Sequence, residues 1–294
     1  MMKNKKTKAD MVKKKSTRVN KPPVTEKGMD GVFVLFRDSL VFIFKNWRIF
    51  SSILVTYALL DVFFVSGLSI GNSSKTITGN NILSRGISVF NNVTSTASTI
   101  NSNSGIYQTI FGVIISLAVI YVIRQLYAKK EVTISDAFYK GMYPLIPLIF
   151  VLLIIVLQFI PLMVGSFVLA YFLHGISNVG LFIKILAAIP CLGLFYWSFY
   201  MLSSSVIALY ISTLPDMKPL QAIRSAKEVV EGKRLKVFWR IIALPIVISI
   251  LIFIVIFPVG LVIPVLAPWL YFVIQLLVLM IVHSYLYRLY RELI

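Results

Sequence analysis

The sequence predicts an all-α integral membrane protein with six transmembrane helices, and its composition, segment lengths and charge distribution all favour this fold class. Of the 294 residues, 58% are hydrophobic, and the mean hydropathy of +0.88 is far above that of an ordinary soluble domain. An apolar segment of about 20 residues is long enough to cross a bilayer as a helix. Segments of this kind lie at roughly 49–70, 106–127, 143–165, 190–212, 237–257 and 266–287.

The distribution of basic residues predicts which side of the membrane each connecting segment occupies. When every Lys and Arg is assigned to the nearest connecting segment, the counts along the chain are 13, 2, 4, 1, 7, 0 and 2. Cytoplasmic segments carry the excess of Lys and Arg in membrane proteins, and here the basic segments alternate with the others. We therefore expect both termini in the cytoplasm and the six helices arranged as three hairpins.

The chain divides into a tail and a membrane domain. Residues 1–31 are rich in Lys and have too little apolar area to fold, so they predict a disordered basic cytoplasmic tail. We expect this tail to attract anionic lipid headgroups, and we expect no specific nucleic-acid partner, because no aromatic residue is interleaved with its basic ones. Residues 32–294 are predicted to form a single six-helix membrane domain, in which 71–105 is an outer loop rich in Ser, Thr and Asn.

A short amphipathic helix is predicted before the first, third and fifth spans. The clearest is 219–231, where apolar residues recur at helical spacing and a glycine follows. Shorter segments of the same kind lie at 33–46 and 135–141. We expect each of these helices to lie at the inner membrane interface, as an elbow before a hairpin, and to contact anionic headgroups. The residues that define the clearest elbow are Leu220, Ile223, Ser225, Val230 and Gly232.

The residues around this last elbow resemble a known sequence pattern. The run 220–225, followed by 229–230, 232–234 and Phe238, is similar to the pattern AL..S..L..G....F of a broad group of prokaryotic six-helix membrane proteins. That group includes the membrane domain of glycerophosphoryl diester phosphodiesterases, and many of its families have no known function. The resemblance implies a six-helix fold in a bacterial or archaeal plasma membrane. The phosphodiesterase chemistry of the group lies in a separate soluble barrel, which this sequence does not contain.

Three polar residues inside the predicted spans form a candidate intramembrane site: Asp61, Gln158 and Gln275. Asp61 stands about halfway along the first span, where an ionised carboxylate costs roughly 2.5–3.5 kcal/mol on insertion scales. We expect it to be buried and partnered, with Tyr57 one turn away and either glutamine as a candidate neighbour. The alternative is a span shifted outward, with Asp61 near the outer headgroups.

The inventory of reactive side chains favours a protein without catalytic activity. The two histidines, His174 and His283, are far apart in the sequence and are interpreted as interfacial polar residues. No metalloprotease, nucleophile-elbow, phosphate-loop or dinucleotide motif is present, so we predict no catalytic residue, no metal ligand and no cofactor. The expected function is an envelope organiser or accessory protein with unknown protein partners, and the alternative is a carrier or lipid-handling protein.

Overall fold

The structure is a computed structural model that describes residues 31–66, 84, 87–88, 102–171, 181–214, 217–263 and 266–294. Residues 1–30 of the predicted tail, most of the predicted outer loop and His174 lie outside the described residues.

The described residues form helices, with no β-strand among them. Three helices are short: α1 (Val32–Lys45), α4 (Ile134–Gly141) and α7 (Pro219–Val230). The longer helices are α2 (Trp47–Asp61), α3 (Ser102–Tyr127), α5 (Leu145–Ala170), α6 (Leu181–Ser212), α8 (Arg234–Val262) and α9 (Ala267–Leu293). Helix α2 continues without interruption into a π-helical turn at Val62–Ser66.

The longer helices confirm the predicted number of apolar spans. Six segments are long and apolar enough to cross a membrane: Trp47–Val65, Gly105–Tyr127, Leu145–Ala170, Ala188–Ser212, Arg234–Val262 and Ala267–Leu293. Many of their large apolar side chains point away from the protein, including Phe63 at 75% exposure and Phe167 at 73%. Exposing so continuous an apolar surface to water would be strongly unfavourable. These helices therefore require lipid around them, as expected of a multi-pass membrane protein.

The helices pack against one another within the unit Gly31–Ile294. Consecutive long helices contact each other as the pairs α2 with α3, α5 with α6, and α8 with α9. Each short helix packs against the long helix that precedes it, so α4 lies on α3 and α7 lies on α6. Helix α1 has no preceding helix in this unit and packs instead on α9, the last helix of the chain. Each of the three short helices therefore packs against one long helix.

The tightly packed core lies toward the C-terminal ends of α3, α6 and α9, where the short helices also pack. Full burial of a Leu, Ile or Met side chain contributes about 1.5–3 kcal/mol to the free energy of folding. The fully buried side chains in this region include Leu117, Ile120, Ile123, Ile207, Met280 and Tyr285. The opposite halves of the long helices bury few side chains, so lipid has to fill the space around them.

Helix α4 begins with a well-formed cap. The Thr133 hydroxyl accepts a hydrogen bond from the Asp136 backbone N–H at 3.2 Å and donates one to the Asp136 carboxylate at 2.8 Å. Lys140 pairs with the same carboxylate at 2.6 Å. Hydrogen bonds from Lys140 and then Thr133 lower the pKa of Asp136. The contribution of this carboxylate to stability is therefore present above its unfolded-state pKa and is lost as the pH falls through the lowered folded-state pKa.

Gly141 marks the closest approach of α4 to α3. A Cβ atom at this position would lie 3.3 Å from the Cα of Ala118 and from the Cβ of Tyr121, and 3.4 Å from the carbonyl oxygen of Leu117. Two of these neighbours are backbone atoms of a long helix, which cannot move aside without shifting α3. Glycine is therefore required here for close packing.

We expect Gly141→Leu to destabilise the protein by about 1–3 kcal/mol, because the added side chain overpacks this contact. The measurement is the thermal unfolding midpoint of the purified protein in detergent. Gly193→Leu is the matched control, since a Cβ there meets no atom within 4 Å. Equal losses in the two variants would contradict the packing role of Gly141.

Candidate functional site

The bundle contains a cavity of about 210 Å³ between α3, α5, α6 and α9. Most of its lining side chains are aliphatic, from Val113 and Ile120 of α3 to Leu279 of α9. The remaining lining residues are small or polar: Thr109, Gly112, Ser116, Tyr210 and His283. No lining residue carries a formal charge at neutral pH when the histidine is neutral.

Helix α3 leaves room for the cavity because three small residues share one of its faces. Thr109, Gly112 and Ser116 follow one another at spacings of three and four residues, which places them on the same side of an α-helix. A Cβ at Gly112 would meet no atom within 4 Å, so the space beside it is open. The Thr109 hydroxyl donates a hydrogen bond to the carbonyl oxygen of Gly105 at 2.9 Å, which satisfies its donor within the helix.

A tyrosine–histidine pair lines the same cavity from α6 and α9. The Tyr210 hydroxyl lies 3.1 Å from Nδ1 of His283, and the two rings meet edge to face with centroids 6.3 Å apart. Tyr210 is buried, with 2% of its surface exposed, whereas His283 is half-buried. A hydrogen bond at Nδ1 leaves Nε2 as the second polar atom of the imidazole. Along the described stretches of chain, Nε2 has no hydrogen-bond partner.

Beyond this pair, four tyrosines form a cluster between α3, α6 and α9. Tyr210 packs against Tyr287 and Tyr290, with ring centroids 6.1 and 6.3 Å away. Tyr287 also stacks on Tyr127, with centroids 5.7 Å apart. The Arg291 guanidinium lies 4.3 Å from the Tyr127 ring centroid, as a cation–π contact. This tyrosine cluster joins the ends of three long helices.

Charged side chains connect helices around the tyrosine cluster. Asp38 of α1 accepts a hydrogen bond from Arg288 of α9 at 2.6 Å. Arg240 of α8 pairs with Glu292 of α9 at 3.4 Å. Arg124 of α3 donates a hydrogen bond to the Thr213 carbonyl oxygen, just beyond the end of α6, at 2.7 Å. These three contacts each link two different segments of the bundle.

The predicted intramembrane residues lie in different environments. Asp61 is buried, with 7% of its surface exposed, and is the last residue of α2 before the π-helical turn. The Gln158 amide oxygen on α5 accepts a hydrogen bond from the Ser205 hydroxyl on α6 at 2.6 Å. Gln275 is exposed on α9, one helical turn before Leu279 of the cavity.

The predicted elbow residues are divided between buried and exposed positions of α7. Ala222, Ala226 and Val230 form its buried face. Leu220 is 75% exposed, and Ile223 and Ser225 are half-buried. Gly232 follows the helix with φ +77, in the left-handed region that glycine adopts most readily.

The cavity was not predicted from the sequence. His283 was interpreted as an interfacial residue, and in the structure its ring contacts Tyr210 inside the bundle. The signal that could have indicated the cavity is the spacing of Thr109, Gly112 and Ser116, since small polar residues on one face of a span mark a helix interface or an internal space. Tyr210 carries no comparable signal, because tyrosines are frequent near the ends of membrane spans.

Comparisons of the chain with family models, with curated proteins and with solved structures found no match. Within the described ranges, no group of three or more His, Cys, Asp and Glu residues is arranged to hold a metal ion.

Proposed function

We propose that the chain is a plasma-membrane protein with both termini in the cytoplasm that organises or assists components of the cell envelope without catalysing a reaction. The observation that carries this proposal is the use of polar groups in the bundle. Four polar contacts each join two different segments of the bundle: Asp38–Arg288, Arg240–Glu292, Arg124–Thr213 and Gln158–Ser205. Polar contacts of this kind hold a scaffold together.

The proposed architecture is three units, each made of an elbow helix and a hairpin. The contacts between consecutive long helices, and the contact of each short helix with one long helix, support it. Exposed basic residues lie on or next to all three short helices. Each such residue would contribute about 1 kcal/mol to the binding of an anionic membrane leaflet. These residues include Arg37, Lys45, Arg48, Lys129, Lys130, Lys140, Arg224, Lys227, Lys233 and Lys236.

The topology can be tested with reporter fusions at five positions. Fusions after Lys130, Gly232 and Ile294 should report the cytoplasm, because they adjoin basic segments, and fusions near Ser95 and Val262 should report the outside. The measurement is the activity of a reporter that is active on only one side of the membrane. If two of the fusions reported the side opposite to the predicted one, the six-span topology would be contradicted.

A second candidate, a carrier or lipid-handling protein, is favoured by the cavity between α3, α5, α6 and α9. Its volume of about 210 Å³ is below the roughly 300–1,000 Å³ of most ligand pockets, so it is small for a transported lipid. We therefore rank this function second.

One substitution separates the two functions. Gly112→Leu should fill the cavity and leave the helix-joining contacts in place, because its side chain points into open space. In a host strain that lacks the gene, we expect this variant to restore envelope integrity, measured as resistance to detergent, as well as the wild-type protein does. Normal membrane levels of the variant without restored resistance would favour the carrier.

A further inference from the structure

An arginine–tyrosine contact joins α8 to α6 at the surface of the bundle. The Arg234 guanidinium lies 4.8 Å from the centroid of the Tyr200 ring, and it also donates a hydrogen bond to the Tyr200 hydroxyl. These two contacts restrict a side chain that can otherwise rotate about several bonds. Arg234 therefore presents its positive charge at a defined position between the two helices.

The charge of Arg234 is not neutralised by the protein. No carboxylate in the described part of the chain forms an ion pair with it. An arginine has five N–H donors, of which the Tyr200 hydroxyl occupies one. The charged residues beside it in the sequence are all exposed, and they are Lys233, Lys236 and a single acid, Glu231. The remaining donors of Arg234 are therefore suited to an anion from outside the chain.

The side chains around this contact are typical of a membrane–water interface. Tyr196 stacks on Tyr200 with ring centroids 6.3 Å apart. Phe199 of α6 meets Phe238 of α8 at 5.7 Å, and Phe238 in turn contacts Trp239 at 5.9 Å. Tyr196 is 70% exposed and Trp239 61%. Tyrosine and tryptophan are enriched where lipid headgroups meet acyl chains, so the anion closest to the guanidinium would be a lipid phosphate.

We propose that Arg234, positioned by Tyr200, binds the phosphate of one anionic phospholipid between α6 and α8. The guanidinium can donate two parallel hydrogen bonds to phosphate oxygens. The exposed aromatic side chains contact the apolar part of the lipid, which a free phosphate ion does not have. Lys233 and Lys236 disfavour a zwitterionic lipid, because they repel its ammonium group.

This site differs from the general attraction of an anionic leaflet to the short helices, because it holds one lipid at one position on two long helices. The inference is independent of the organiser function, and its failure would leave that function untouched.

The test is a lipid titration of the purified full-length protein in detergent. Native mass spectrometry measures the fraction of protein that carries one phosphatidylglycerol, and the titration gives its Kd. We expect phosphatidylcholine to bind at least about 5-fold more weakly, because the phosphatidylglycerol headgroup has no ammonium group. Glycerol 3-phosphate at the same concentrations should not displace the lipid, because it has no apolar part.

Three variants locate the site. Arg234→Gln should weaken phosphatidylglycerol binding roughly 10- to 100-fold, because it removes hydrogen bonds to a charged group. Arg224→Gln is the matched control, since Arg224 is an exposed arginine of α7, and it should weaken binding no more than about 5-fold, as expected of one surface charge. Tyr200→Leu keeps the charge of Arg234 and removes both contacts that position it, so it should also weaken binding more than the control does.

Equal losses in Arg234→Gln and Arg224→Gln would overturn the site and indicate diffuse attraction instead. If Arg234→Gln does not fold, a loss in Tyr200→Leu no larger than in the control would have the same meaning. Equal binding of the two phospholipids would overturn the preference for an anionic lipid. Displacement by glycerol 3-phosphate would overturn the lipid as the ligand and indicate a site for free phosphate compounds.

Discussion

Replacing Arg240 by methionine should destabilise the protein by about 3–5 kcal/mol, the typical loss when one member of a buried ion pair is removed. The Arg240 side chain is 10% exposed and that of Glu292 19%, and their charged atoms are 3.4 Å apart. Methionine has much of the apolar volume of the arginine side chain, but it has no positive charge to pair with the Glu292 carboxylate. The Tyr285 hydroxyl would still have its acceptor, because it donates to the backbone oxygen of residue 240 at 3.2 Å.

Two further variants make this prediction specific to charge. Arg240→Met combined with Glu292→Gln should recover much of the lost stability, because no uncompensated charge remains. Arg37→Met should cost no more than about 1 kcal/mol, since the Arg37 side chain is 79% exposed in its contact with Asp38. Thermal unfolding midpoints in detergent measure all three. A double variant no more stable than Arg240→Met would show that packing, and not charge, dominates.

A cysteine at position 61 should react far more slowly with an impermeant thiol reagent than a cysteine in the predicted outer loop. Asp61 is 7% exposed, so the reagent can reach this position only after local opening of the bundle. An opening cost of about 2.8 kcal/mol would slow the reaction about 100-fold. The experiment compares Asp61→Cys with Lys75→Cys, both in the Cys191→Ser background, which removes the single native cysteine.

The two reaction rates distinguish two positions of the first span. Slow reaction at position 61 is expected if the carboxylate lies inside the bundle. Equal rates at positions 61 and 75 would indicate that the span is shifted outward and that Asp61 lies near the outer headgroups. Asp61→Asn should keep the folded amount unchanged in either case, because the amide has nearly the same volume as the carboxylate.

The number of membrane-spanning helices could be predicted because bilayer thickness sets a minimum length for each apolar segment. Contacts between helices that are distant in the sequence could not be predicted. In a soluble protein an apolar face marks the core, but lipid accepts the same side chains as a protein interior, so a span such as α5 is apolar on all sides. Nothing in the local sequence indicates that α1 packs against α9.

Helix α7 shows the same ambiguity in one element. Its predicted apolar face contained Leu220, Ile223, Ala226 and Val230, whereas its buried face consists of Ala222, Ala226 and Val230. Large apolar side chains can face lipid, while small ones let two helix backbones approach closely. Residue size therefore explains why Ala222 is buried while Leu220 and Ile223 are not, although Val230 is buried as well. The Tyr210–His283 pair in the cavity could not be predicted either, because it depends on the contact between α6 and α9.

The contact between α1 and α9 sets the order of events during biosynthesis. Asp38 and Arg288, which join these helices, are 250 residues apart. At about 5–20 residues per second, the ribosome adds Arg288 some 12–50 s after Asp38. During this interval α1 has no α9 to cover its buried side chains, Leu35, Phe36 and Ile43. An amphipathic helix can lie on the membrane surface with its apolar side chains in the headgroup region. When the last span is inserted, α9 replaces the lipid that contacts these side chains of α1.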